Sequence, residues 1–255
     1  MKKVIVAIDS MKGCLGSLEA SEACAKGIRK ANPEADVIAV PVADGGEGTA
    51  NAIAFSDSRI MRRVSKVSGP EEELVEAEWW MDEGNKTAYM DMAAAAGLTL
   101  VSGDKRNPMK TTTYGVGEMI LAAMHEGANR IVAGMGGSAT VDGGVGACKA
   151  LGVDFAEDDI DISGIEPRLK EVEILLACDV EVPFTGERGA ARVFGPQKGA
   201  NTEEVEILAT RLEDLRRKIL KEIGVDLNEV RCSGAAGGCA CRPDSGFVAL
   251  RPRVL

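Results

Sequence analysis

Two kinds of hydrophobic pattern divide the chain. Short continuous apolar runs rich in β-branched residues occur at residues 3–8 (KVIVAI), 36–40 (DVIAV), 130–134 (RIVAG) and 172–180 (VEILLACDV). Such runs predict strands buried on both faces of a parallel sheet. Apolar positions at helical spacing follow them: residues 17–30 predict a helix ended by Asn32-Pro33, and PVADGGEGTANAI reads as a loop passing into another. Residues 59–91 change texture to longer alternating runs, RIMRRVSKV, ELVEAEWWM and TAYMDM. These predict an antiparallel meander with one polar face, and a domain boundary near residue 60. MDMAAAAGL reads as a strand turning into a short helix, and the segment after Thr111 to Thr113 as a helix that Thr112 or Thr113 caps. TEEVEILATRLEDLRRKILKEIG is a long amphipathic helix with interleaved charges, expected to be a solvated surface helix.

Chemistry gathers where the apolar runs stop. RIVAGMGGSATVDGG empties a strand into small residues, including Gly136, Gly137, Ser138, Gly143 and Gly144, and uncovered backbone N–H groups at such a place attract anions. Gly134-x-Gly136-x-x-Ala139 also fits a dinucleotide fingerprint, with Asp154 as the ribose ligand. The crowd of glycines that follows leaves little room for the uninterrupted helix this reading needs. No G-x-x-x-x-G-K-[ST] sequence occurs. Asp9, Asp44, Asp142 and Asp179 each lie at or just after a strand exit, and Lys12 and Lys198 stand among small residues in loops of the same kind. One such Asp is usually a helix cap. Four of them with two lysines resemble a site where a divalent ion bridges phosphates while cations offset developing charge, because open α/β sheets bind ligands outside the carboxyl ends of their strands.

Composition narrows this picture. Across 255 residues, 30 basic and 40 acidic side chains give a net charge of −10, which argues against a nucleic-acid or anionic-membrane surface. An anionic ligand would then depend on a few well-placed cations. The first apolar run is too short for a signal peptide or a membrane span, so a cytoplasmic protein is expected. Seven scattered cysteines fit reduced thiols. With one histidine, His125, read as a surface residue near a helix end, even Cys239-x-Cys241 cannot complete a zinc pattern.

The segments DSMKGCLGSLEA, PVADGGEGT, NPMKTTTYGVGE, GGSATVDGG, ACDV and FGPQKGA resemble, in this order, the signature segments of the bacterial type I glycerate kinase family. The resemblance runs to about Gly238. It implies an α/β fold of two α/β domains, a flavodoxin-like one interrupted by a second of mixed sheet. On that reading residues 1–60 begin the first domain, 61–238 are mostly the inserted one with a return toward the first, and 239–255 are an atypical tail. It also implies ATP-dependent phosphorylation of glycerate, Mg²⁺, and a small-molecule partner rather than nucleic acid or membrane. Catalytic roles then fall to Asp179, Asp142, Lys198 and Lys12, and metal binding to Asp9 and Asp44. Substrate or phosphate contacts fall to Ser10, Gly13, Gly45, Gly46, Glu47, Gly48, Thr49, Thr112 and Thr113, then to Gly136, Gly137, Ser138, Gly143, Gly144, Gln197 and Gly199. Met11, Cys14, Gly16 and Val141 depart from the usual motifs but spare their charged residues and paired glycines. After SGAAGG relatives continue through a GEGRID-like motif, whereas this sequence reads CACRPDSGFVALRPRVL. The expectation from that end is an incomplete first domain with an exposed sheet edge, self-associating into a homo-oligomer, and an inactive, at most nucleotide-binding fragment as the alternative to an active kinase.

Overall fold

The computed structural model describes residues 2–11, 13–156, 159–238 and, for the backbone alone, 250–253. The chain begins with strand β1 (Lys3–Val6), helix α1 (Ser17–Ala31), strand β2 (Asp36–Ala39) and helix α2 (Thr49–Phe55). The meander follows as β3 (Met61–Ser68), β4 (Leu74–Asp82) and β5 (Thr87–Asp91), then the short α3 (Ala93–Ala96) and α4 (Tyr114–His125). Next come β6 (Arg130–Gly134), α5 (Val145–Ala150), a small antiparallel pair β7 (Asp154–Phe155) and β8 (Ile160–Asp161), and β9 (Glu173–Ala177). The last elements are α6 (Ala190–Phe194), α7 (Thr202–Ile223) and β10 (Leu250–Arg253).

The main sheet has the order β10-β9-β6-β5-β4-β3. Its first four strands are parallel, and β5, β4 and β3 are antiparallel neighbours, so the meander forms one edge of a mixed sheet. Strands β1 and β2 form a separate parallel pair. Two apolar cores match this division. The larger includes Trp79, Met90, Met119, Met124, Ile131, Ile174 and Phe184; the smaller is Val6, Ala25, Val37 and Ala39 under α1.

Helix α1 forms because Ser17, Ala20, Ser21 and Ala25 share one buried face, and Glu19 accepts a bond from the Gly16 N–H at its start. The expectation that β1 and β2 are buried on both faces is corrected: Ile5 is 65% and Ile38 41% exposed. They are register partners, so they share the face opposite α1, which is left uncovered among the described residues. Helix α7 is likewise more than a solvated helix. Asn201 and Glu204 cap it reciprocally, and Val205, Leu208, Leu212 and Ile219 set its apolar stripe into the main core. Helices α4 and α5 meet closely where Gly117 lies against the Ala147 backbone. No helix among the described residues is long and apolar enough to cross a membrane.

Candidate active site

The parallel strands β6 and β9 stop side by side, and the chain beyond each turns into the same cleft. Met135 to Ser138 come from the exit of β6, and Cys178 to Val180 from that of β9. Asp44 to Glu47, from the loop after β2, form a third wall. The cleft measures about 370 Å³. Its loops are stitched together by backbone: the Met135 N–H donates to the carbonyls of Gly45 (2.8 Å) and Ala177 (3.1 Å). The approach demands glycine on both sides. A Cβ on Gly136 would sit 2.5 Å from the Gly46 Cα, and Gly45, at φ +97°, lies against the Ala177 carbonyl.

Lys198 stands behind this wall, buried to 2% exposure. Its Nζ donates to Ser138 Oγ (2.7 Å), the Thr140 carbonyl (2.6 Å) and the Ala236 carbonyl (3.0 Å), and lies 5.7 Å from the centre of the Phe194 ring. An ammonium has three donors, and here all three are engaged within the protein. Burial pulls Lys198 down to about 7, against an upward pull from the Asp142 carboxylate. Three loops are thereby tied at one point, since the Ser138 hydroxyl also donates to the Ala236 carbonyl (2.8 Å).

The expected site residues divide sharply by position. Asp44, Gly45, Gly46, Glu47, Gly136, Gly137, Ser138, Asp179, Gln197, Lys198 and Gly13 line the cleft together. Gly13 and Glu47 also border an adjoining cavity of about 570 Å³, where Ser10 and Gly48 lie. Thr49 is buried and its hydroxyl donates to the Gly46 carbonyl. Asp9 lies outside the lining of both cavities, exposed, with the Ser10 N–H on its Oδ1 (2.7 Å). Lys12 lies outside the described residues.

Asp142 and its neighbours serve a different purpose. Its Oδ2 accepts from the Thr113 N–H (2.9 Å), the Thr113 hydroxyl (2.7 Å) and the Gly146 N–H (3.1 Å), and its Oδ1 from the Gly144 N–H (3.1 Å). The Thr113 hydroxyl in turn accepts from the Ala147 N–H (2.9 Å). This network joins the starts of α4 and α5 and leaves the cleft lining without Asp142, Thr112 or Thr113. Gly144 is the residue before α5, and Gly143 packs against Leu212, Leu215 and Phe184 rather than in the cleft. The dinucleotide alternative also meets its correction here. Helix α5 starts only at Val145, and Asp154 lies in the β7–β8 pair, opposite Asp161.

Asp91 and Arg106 are absent from the sequence-derived site. Asp91, 8% exposed at the exit of β5, accepts from the N–H groups of Gly48 (2.9 Å) and Ala50 (3.1 Å), pinning the loop that carries Asp44 and Glu47. Burial pushes its carboxyl up to about 6, helped by Glu47 and opposed by the donated N–H bonds. The signal that could have found it is the one that picked out the other four, an acid ending an apolar strand. Arg106 lines the cleft from the segment before α4. Nothing in its local pattern marks it.

Glycine loops and carboxylates gathered at the ends of adjacent parallel strands define an α/β protein with a ligand cleft at its strand exits. The chain belongs to the glycerate kinase family, whose model matches residues 4–243. It is 43% identical to the glycerate 2-kinase of Escherichia coli (strain K12) over 252 residues, covering 92% of this chain and 66% of that protein. With the glycerate kinase of Bacillus subtilis (strain 168) it shares 42% identity over 253 residues, again 92% of this chain and 66% of the relative. A crystal structure from Salmonella typhimurium LT2, provisionally named glycerate kinase 2, superposes with a TM-score of 0.82 at 38% identity, covering 99% of this chain and 71% of that one. The chain thus spans about two thirds of the length of the curated relatives it matches.

A magnesium ion in phosphoryl transfer is held by one or two carboxylates together with substrate phosphates, so a dedicated protein cage is not required. No cluster of three or more metal-binding side chains occurs among the described residues. Asp44 and Asp179, both exposed in one cleft, fit the smaller requirement, whereas Asp9 lies outside that cleft.

Proposed function

We propose that this chain is the greater part of a cytoplasmic, ATP-dependent kinase that transfers the γ-phosphoryl group to a hydroxyl of glycerate. The observation that carries the reading is the joining, in one cleft, of glycine-rich backbone from the exits of β2 and β6 with the carboxylates of Asp44 and Asp179. The names of the relatives point the same way. The Gly137 N–H, at the half-buried turn that lines the cleft, is suited to a phosphate oxygen, and the adjoining cavity at Ser10 and Gly48 gives room for a second substrate. Asp179 is the residue to hold the acceptor hydroxyl and take its proton, because Asp142 is committed to four bonds of its own. Mg²⁺, held by Asp44 together with the substrate's phosphates, would supply neutralisation of their charge when bound. A division near residue 60, with the glycine loop after β2 reaching across to the main sheet, is the domain arrangement this reading adopts.

ADP release measured with a panel of small hydroxy acids tests the proposal. Turnover is expected with glycerate and not with analogues lacking the reacting hydroxyl. Equal rates with and without glycerate remove the assignment, and ATP binding without turnover favours the non-catalytic alternative.

A further inference from the structure

The cleft poses an electrostatic problem. Its described lining contains three acids, Asp44, Glu47 and Asp179, and two cations, Lys198 and Arg106. Any oxyanion entering it needs a positive partner. Lys198 is poorly available, since its ammonium is buried and all three of its donors end on Ser138, Thr140 and Ala236. A ligand oxygen could reach it only by displacing one of those partners, exchanging one hydrogen bond for another.

Arg106 differs on each point. It is exposed in the cleft, and its guanidinium makes no ion pair among the described residues. Its backbone is nevertheless held. Gly199, at φ +101°, packs so closely on the Arg106 carbonyl that a methyl group there would overlap it. The next residue, Asn107, donates from Nδ2 to Glu204 Oε1 at the start of α7 (3.3 Å) and accepts from the Met109 N–H (2.9 Å). A planar fork of donors on an anchored backbone loses less freedom on binding than a free surface arginine, and it matches phosphate or carboxylate with two parallel bonds.

We propose that Arg106 is the side chain that receives the anionic group of the ligand in this cleft, with the Lys198 loop serving as the wall that positions it. The inference deepens the kinase reading, on which the choice of probes rests. The oxyanion is either the polyphosphate of the nucleotide or the carboxylate of glycerate, and separate titrations tell them apart.

The experiment is calorimetric titration of the 255-residue protein with ADP and, independently, with D-glycerate, for the wild type, Arg106→Ala, Arg106→Gln and Arg106→Lys. Melting of each variant without ligand is recorded alongside. We expect Arg106→Ala and Arg106→Gln to bind one of the two probes about tenfold to a hundredfold more weakly, and Arg106→Lys to recover part of the loss. Wild-type affinity for that probe should fall with added salt more steeply than that of Arg106→Gln. Melting should stay near wild type, since the side chain is exposed. Unchanged affinity of Arg106→Ala for both probes overturns the proposal, as does failure of the wild type to bind either. Arg106-dependent binding of ADP without turnover of glycerate leaves it standing and removes the kinase reading instead.

Discussion

Two buried ionisable groups flank the cleft, and their displaced titrations act on stability with opposite sign. Asp91 is raised to about 6 from an ordinary 3.8. Between those values the folded chain holds a proton that the unfolded chain has lost, so stability falls as pH rises from about 4 to 6. Lys198 is lowered to about 7 from 10.5. Between about 7 and 10.5 the unfolded chain holds the extra proton, so stability rises with pH across that window. In Asp91→Asn the fall should vanish, a difference of at most about 3 kcal/mol for a two-unit shift. In Lys198→Met the rise should vanish, on a chain weakened at neutral pH by the loss of three hydrogen bonds, with the Thr140 carbonyl losing its donor. Denaturant melts at half-unit pH steps check both, and slopes equal to wild type would sink them. The charges of Asp44, Asp179 and Lys198 were legible in the sequence because acids and lysines among small residues at strand exits are a local pattern. The engagement of Lys198 was not, since its three acceptors lie at Ser138, Thr140 and Ala236, and no local spacing reports on them.

At the scale of elements, the joint between α4 and α5 sets Asp142, held in a hydrogen-bond network, apart from Asp179, exposed in the cleft. Asp142 satisfies donors at the starts of both helices, so Asp142→Ala should lower stability by about 3 kcal/mol or more through lost capping and unpaired N–H groups. Below its melting temperature that variant should retain most of its kcat. Asp179→Asn, on an exposed position in the cleft, should melt like wild type and lose kcat by about a hundredfold or more if it handles the acceptor proton. Unfolding curves and steady-state rates on the same two proteins decide the matter; the reverse pairing of effects would exchange their roles. Elements of this kind were readable from period alone: α1, α7 and the three strands of the meander fall where apolar spacing changes from 3.6 to 2. The two-sided burial expected of β1 and β2 was not realised. A continuous apolar run states that a strand can be buried on both faces, and Ile5 and Ile38 show one face left open among the described residues.

In the molecule as a whole, stability is unevenly distributed. The main sheet rests on a core with Trp79 and Ile174 at 0% exposure, whereas the β1–β2 pair rests on Val6, Ala25, Val37 and Ala39. Two strands and one helix over so small a core are marginal, so amide protons of β1 and β2 should exchange well before those of β6 and β9. Hydrogen exchange followed by mass spectrometry measures this directly, and equal protection would mean that the two cores open together.

The knot at Ser138 has a further consequence, in time. Its contacts close segments 60 residues apart at Lys198 and 98 apart at Ala236, and such closures must wait for chain entropy to be overcome before any bond rewards them. Helices such as α7, capped within four residues of their own start, have no such delay. During refolding the far-ultraviolet signal should therefore return first and the ADP binding proposed above in a separate, slower phase, so that for a measurable interval the chain is helical and collapsed while its cleft is still unbuilt.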